Sequence, residues 1–177
     1  MIYEAEKNEI RMALAGDTMI TRRLSPYREL RFVELVKVLR EADVTFSNLE
    51  MLVHHWEGFP GTQPGTYTAS DPRNLEELKW AGIKLVSTAN NHAYDYGETG
   101  VLVNIQNLEE AGLPHAGTGR NLSEARAPAY LDTPRGRVAL ISAVSTFPPH
   151  GRATDQRPDM QGRPGVNPVR FETDLNV

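Results

Sequence analysis

The stretch Lys84-Leu-Val-Ser-Thr-Ala-Asn90-Asn91-His92-Ala-Tyr-Asp95-Tyr-Gly97 changes character midway. An apolar run stops at two amides, an imidazole and a carboxylate, and a glycine and a helical pattern follow. It reads as a strand that delivers polar side chains at its C-terminal edge, where open α/β sheets bind their ligands. Asparagine also tolerates left-handed backbone angles and bonds its own main chain, so the same residues suit a plain tight turn. The decision rests on whether other strands end alike.

Two others do. Ile10 to Ala15 is an apolar run closed by Gly16-Asp17, a first strand with an acid at its tip. Asp43 to Leu49 is rich in strand formers and closes in Asn48-Leu49-Glu50. Between them, Leu30, Val33, Val36 or Leu35, Leu39 and Ala42 recur three or four apart, the pattern of an amphipathic helix over Arg28 to Ala42. Asp71 is expected to cap a second helix with Pro72 in its first turn, a stripe of Leu75, Leu78 and Ala81, and a stop at Gly82. A third helix follows from Gly97 to Gly112, with Val101, Ile105 and Leu108 on one face.

The remainder is less periodic. Met51 to Ser70, with His54-His55-Trp56, reads as a long surface loop. Leu113 to Gly119 reads as a short strand and a glycine-rich turn, and Asn121 as the cap of a short helix over Leu122 to Arg126, with Glu124 in the capping-box position. Two strands, Ala127 to Leu131 and Arg137 to Val144, flank a hairpin turn at Thr133-Pro134-Arg135-Gly136. His115 and His150 have no motif around them and read as surface or hydrogen-bonded residues. The expected division is a core over residues 1–144 and an extended Pro/Gly-rich segment over 145–177.

The alternation of strands and helices predicts α/β layers with a mainly parallel sheet flanked by helices. Right-handed crossovers would bring the three polar-tipped strands to one edge, so that Asp17, Asn48, Glu50, Asn90, Asn91 and His92 converge. Composition agrees with one globular domain: 177 residues, 40% hydrophobic and 24% charged. A net charge of -4 without a basic stripe argues against a nucleic-acid partner. No cysteine is present, so a metal would need oxygen and imidazole ligands. Met1 to Arg11 is charged and lacks the apolar core of a signal peptide, and no run approaches a membrane span. The expected location is the cytoplasm.

Two carboxylates, several amides and one imidazole suit a hard or borderline divalent cation, with Glu50 able to bridge two metals and His92 to act as a general acid. Each acid taken singly is as well explained by a cap or turn.

The motifs Gly16-Asp17-Thr-Met, Asn48-Leu49-Glu50 and Ala89-Asn90-Asn91-His92-Ala-Tyr-Asp95-Tyr-Gly97 resemble the CapA family of capsule and poly-γ-glutamate synthesis proteins in order and spacing. Gly117-Thr118-Gly119, Ala127-Pro128 and Arg163-Pro164-Gly165 look like further segments of it. That family is similar to the calcineurin-like metallophosphoesterases. The resemblance implies the N-terminal half of an αββα sandwich with a divalent metal (Mn, Fe or Zn) held by Asp17, Glu50 and Asn91. It implies His92 as the catalytic residue, Arg22 as an anion clamp, and Asn48 and Asn90 as additional site residues. An anionic small molecule or polymer is the implied substrate, with phosphoester hydrolysis as the reaction. Polymer binding without hydrolysis and metal-free proton transfer by His92 and Glu50 at a peptide are the other readings. Met19 stands where the wider superfamily has a histidine, and a histidine-bearing second half is not in this sequence. The bare sheet face would then be covered by that half or by another copy.

Overall fold

The computed structural model describes residues 9–61 and 65–169. The expectation of a charged leader falls largely on residues 1–8, and the end of the extended segment on 170–177; both lie outside the described residues. In chain order the elements are β1 (Met12–Thr18), α1 (Leu30–Glu41), β2 (Val44–Leu49), β3 (Leu52–Val53), β4 (Ala69–Ser70), α2 (Asn74–Ala81), β5 (Leu85–Ser87), α3 (Gly97–Glu110), β6 (His115–Ala116), β7 (Thr118–Gly119), α4 (Leu122–Arg126), β8 (Ala129–Thr133), β9 (Gly136–Leu140) and β10 (Gly165–Val166).

Four of these strands build a parallel sheet in the order β1-β2-β5-β6, so the architecture is the expected mixed α/β one with a mainly parallel sheet and flanking helices. β5 is central and all three of its residues are buried, as a strand covered on both faces must be. Its Val86 joins Leu49 of β2, Met51 just after it, Val53 of β3, Leu75 and Leu78 of α2, Ile83, Leu108 of α3 and Leu113 after that helix in one apolar cluster. Burial of each such side chain contributes roughly 1.5–3 kcal/mol. β1 is at one edge of the sheet, and its larger apolar side chains are exposed: Leu14 is 73% exposed and Met12 45%.

Helix ends follow local chemistry in two places. Gly82 closes α2 in the left-handed region at φ 102°, where its N–H returns to Leu78 and Lys79 carbonyls. Asn121 accepts the Glu124 N–H at 3.1 Å, while the Glu124 carboxylate accepts the Arg120 N–H at 2.9 Å, one residue ahead of a standard capping box.

Four expectations need correction. The segment 51–70 is not simply a surface loop. Met51 to His54 are buried, and Val53 is fixed by two amides of α3: its N–H donates to Asn104 Oδ1 and its carbonyl accepts from Asn107 Nδ2, both at 2.8 Å. A buried backbone must be paired, and helix amides do here what a neighbouring strand would otherwise do. His54 packs on Tyr96 with ring centroids 4.4 Å apart, and burial lowers its pKa. Second, β1 runs past Ala15 to Thr18, so Asp17 lies inside the strand. Third, Asp71 caps a turn instead of α2. Its Oδ1 accepts the Arg73 N–H at 2.9 Å, and the i→i+3 bonds Asn74 N to Asp71 O and Leu75 N to Pro72 O form a tight turn before the helix. Fourth, Leu30, Val33 and Leu35 of the proposed α1 stripe are exposed, and Val36 and Ala42 are the buried residues.

The loop before α1 is tied down by Glu77 of α2. Its carboxylate accepts the N–H groups of Ser25 at 2.7 Å and Leu24 at 3.0 Å, and the Ser25 hydroxyl at 3.1 Å, with Arg23 at 3.3 Å. The Ser25 N–H, the strongest influence, holds the carboxyl below its ordinary pKa of 4.5. Glu77→Ala is expected to cost about 2 kcal/mol at neutral pH, because two or more charge-assisted bonds are lost and their donors left bare. A depressed carboxyl stabilises fully above its unfolded pKa and loses that effect as pH falls through the folded value. Urea denaturation should therefore show the gap between wild type and Glu77→Ala narrowing below pH 4.5. A gap that stays constant to pH 2.5 would rule out this account.

Candidate functional site

The three strands do end at one edge. In the β1–β2 ladder Leu14 pairs with Phe46, but Asp17 pairs with Asn48, so β1 contains one extra residue between them. This bulge changes the phase of the strand. Without it Gly16 would stand opposite Asn48, and the Asp17 carboxylate would project from the other face. On the other side Asn48 pairs with Ser87 of β5, three residues before Asn90.

The orientation of the amides can be worked out from the main chain. The His92 N–H donates to Asn90 Oδ1 at 3.0 Å, and Asn90 Nδ2 donates to the Leu49 carbonyl at 2.8 Å. A backbone donor and a backbone acceptor leave no choice for the Asn90 amide. Its Nδ2 also reaches Asn48 Oδ1 at 3.2 Å, which turns the Asn48 nitrogen towards the acids. Asn48 Nδ2 then donates to Asp17 Oδ1 at 2.9 Å and Glu50 Oε2 at 3.3 Å, bridging the two carboxylates.

That bridge separates the two acids chemically. The Asn48 hydrogen bond, followed by one from Glu50, lowers the pKa of exposed Asp17. Glu50 moves the other way: burial raises it first, then the hydrogen bond and charge of Asp17, with His92 opposing. The pair thus retains a proton more readily than two isolated carboxylates would, and titrates as a unit.

His92 stands in the turn after Asn90. Its Nδ1 lies 2.8 Å from Asp95 Oδ2, which also accepts the Thr68 N–H at 3.2 Å. A carboxylate at Nδ1 favours the proton there and leaves Nε2 as the working nitrogen. The ring opens onto a cleft of about 420 Å³ with Asn91, Tyr67, Tyr94, Phe147 and His150 on its walls. Tyr94 and His150 meet edge to face at 5.4 Å.

Of the residues singled out by sequence, Asp17, Asn48, Glu50 and Asn90 form one hydrogen-bonded cluster, joined through the main chain to His92. Asn91 is exposed and, among the described residues, its side chain makes no hydrogen bond to the acids; it faces the cleft instead. Arg22 is exposed and likewise makes no bond to the cluster among the described residues. Asp95 and Thr68 support the imidazole, and His150 shares its cleft. The Asp95 spacing three residues after His92 was a readable sign. His150 comes from a Pro-rich stretch with no periodicity, and only the fold brings it near.

As metal donors, the two adjacent carboxylates suit a hard divalent cation that keeps several waters. The set is thin: among the described residues no three His, Asp, Glu or Cys side chains converge on one point, and Met19 offers no oxygen or imidazole.

The mixed α/β architecture, a mainly parallel sheet flanked by helices, is that of a partial metallophosphoesterase-like fold. Residues 11–175 match the family described as bacterial capsule synthesis protein PGA_cap, which belongs to that superfamily. This chain is a member of that family. It is 39% identical over 170 residues to two proteins of Sinorhizobium fredii (strain NBRC 101917 / NGR234) described as uncharacterized, y4sH and y4uA, covering 94% of this chain and 37% of each of them. It is 24% identical over 174 residues to the capsule biosynthesis protein CapA of Bacillus anthracis, covering 94% of this chain and 42% of that protein. The chain thus spans well under half the length of these curated relatives. No helix among the described residues is long and apolar enough to cross a membrane.

The cluster predicts unequal effects of two neighbouring asparagines. Asn90, buried with three bonds, should cost about 2–3 kcal/mol of stability when changed to Ala. Asn91→Ala should change stability by less than about 0.5 kcal/mol. Denaturant titration of both variants checks the order, and equal losses would contradict the assigned network.

Proposed function

We propose that this chain is a CapA-like component of capsule or poly-γ-glutamate synthesis whose strand-end site hydrolyses a phosphoester-type bond in an anionic substrate, with a divalent metal. The observation that carries this reading is the hydrogen-bonded chain from Asp17 and Glu50 through Asn48 and Asn90 to the main chain of His92, beside an open cleft. It is a preorganised array in which each side chain is held by another, as a catalytic site requires. Asp17 and Glu50 would hold the cation, with Asn91 available from the adjoining turn. When bound, that ion would polarise the ester and acidify a water.

The protein's own groups do the rest. As the imidazolium, His92 gives its Nε2 proton to the departing oxygen and is left neutral, with its Nδ1–H held by Asp95. Asn48 keeps the two acids facing one another. Tyr67, Tyr94 and Phe147 line the cleft beside His92. In the structure residues 144–168 pack back on the core, β10 pairing with β7 and Val144 bridging Pro168.

A second reading rests on the acid pair itself. Among the described residues two carboxylates meet, and burial raises the pKa of Glu50, which suits metal-free proton transfer by Glu50 and His92 at a peptide centre.

Metal content per chain, measured by elemental mass spectrometry after dialysis against Mn and Zn, separates the two. The first reading expects metal in wild type and its loss in Asp17→Ala. With bis(p-nitrophenyl) phosphate, His92→Ala should lower turnover by roughly 10²–10⁴-fold with metal retained. The wild-type chain itself should turn over more slowly than about 1 per second. Metal-free protein with unchanged hydrolysis in Asp17→Ala would overturn the metal-dependent reading.

A further inference from the structure

A second concavity shares no lining residue with the strand-end cleft. It is a groove of about 720 Å³ between α1, Trp80 of α2 and the loop before α1. The sequence holds 23 acidic and 19 basic side chains. The groove reverses that balance, gathering Arg23, Arg28, Lys37 and Arg40 against one lining acid, Glu41.

What distinguishes these cations is how they are held. Arg23 is paired with Glu77 at 3.3 Å. Lys37 lies 3.8 Å from Glu41 in an exposed pair, which contributes little. The other two meet no carboxylate among the described residues. Arg40 Nε donates to the Trp80 carbonyl at 2.6 Å, and its guanidinium lies 4.4 Å over the Trp80 ring. Arg28 Nη1 donates to the Tyr27 carbonyl at 2.9 Å and also to the Ser25 carbonyl. Neutral carbonyls and a ring face fix a guanidinium without cancelling its charge, and its remaining N–H groups stay available. Two arginines are thus preorganised and un-neutralised.

Spacing gives the shape of the ligand. Val33, Lys37 and Arg40 fall at i, i+4 and i+7, along one face of α1. Arg28 precedes the helix, so at 1.5 Å per residue the outer cations are on the order of 15 Å apart. One inorganic ion cannot span from Arg28 to the Lys37–Arg40 pair, unlike a phosphate cradle where all donors meet at a point. Between them the apolar surface comes from exposed Val33 and Tyr27, with Val36 buried.

We propose that this groove docks an acidic peptide segment of a protein partner, its carboxylates meeting Arg28, Lys37 and Arg40 and its apolar residues lying on Val33 and Tyr27. This is the helix-groove mode of peptide recognition with charge complementarity setting the partner's sign. It is independent of the chemistry at the strand ends.

Trp80 is a built-in reporter, because a ligand that engages Arg40 alters the cation stacked on its ring. In a Trp56→Phe background Trp80 is the one remaining tryptophan. The probe is the acetylated, amidated nonapeptide Asp-Leu-Glu-Glu-Leu-Phe-Glu-Glu-Leu. Its counterpart carries amides in place of every acid. The acidic peptide should give a saturable change in Trp80 emission, weakening at higher salt and at least tenfold in the double variant Arg28→Gln, Lys37→Gln. Arg126→Gln and Asp17→Ala should bind as wild type. Should Trp56→Phe fail to fold, anisotropy of a fluorescein-labelled peptide with the wild-type chain gives the same readout. Equal binding of the amide peptide or of a decathymidylate, equal loss in Arg126→Gln, or no saturable signal would each overturn the proposal.

Discussion

Two carboxylates face each other at the strand ends, and one amide nitrogen keeps them there. Asp17 and Glu50 would repel if both were ionised and nothing stood between them. The Asn48 Nδ2 group donates to both, which offsets part of that repulsion with two charge-assisted bonds. The rest of the edge is arranged to make the amide face that way. Asn90 holds its oxygen, the Leu49 carbonyl and the His92 N–H hold Asn90, and the sheet register holds all of them in line. A site built as a relay of this kind is sensitive to any shift of one strand against another.

The register is secured by the core beneath it. Leu49 and Val86 sit in the same apolar cluster as the α2 leucines and the end of α3, so sliding β2 against β5 would displace packed side chains as well as ladder bonds. The α3 amides Asn104 and Asn107 pin Val53, fixing the chain just after Glu50. The stiffness of the site therefore comes from a dry cluster a few residues away, and the polar edge itself contributes little net burial.

The molecule also divides its charge. The strand ends concentrate acids and amides, whereas the α1 groove concentrates arginine and lysine on a chain that is acidic as a whole. Glu77 links the structure of that groove to α2 by ordering the loop that carries Arg23, Ser25 and Arg28. At one edge of the sheet, β1 leaves Met12 and Leu14 exposed, and the family relatives are more than twice as long as this chain. An edge strand with bare apolar side chains is a surface that larger assemblies cover.

Some of this was open to reading from the residues alone. Apolar runs broken by Asp17, by Asn48 and Glu50, and by Asn90 and His92 identify strands and their polar ends, since side-chain polarity changes abruptly where a buried strand emerges. Gly82 and Asn121 mark helix ends because their preferences are local. Other features needed the fold. The extra residue in β1 has no local signature, as Ala15-Gly16 fits a regular strand equally well, and it decides which way Asp17 points. The burial of His54 depends on Tyr96 and α3, more than forty residues away in the sequence, and the exposure of Leu30 and Leu35 depends on what α1 lacks beside it. Sequence by itself determined the order of the helices and of the longer strands and the polar ends of the sheet, because these follow from short-range periodicity and solvation. Tertiary structure alone decided which amide faces which acid and which cations remain un-neutralised, because both are set by contacts between segments that propensity and spacing do not couple.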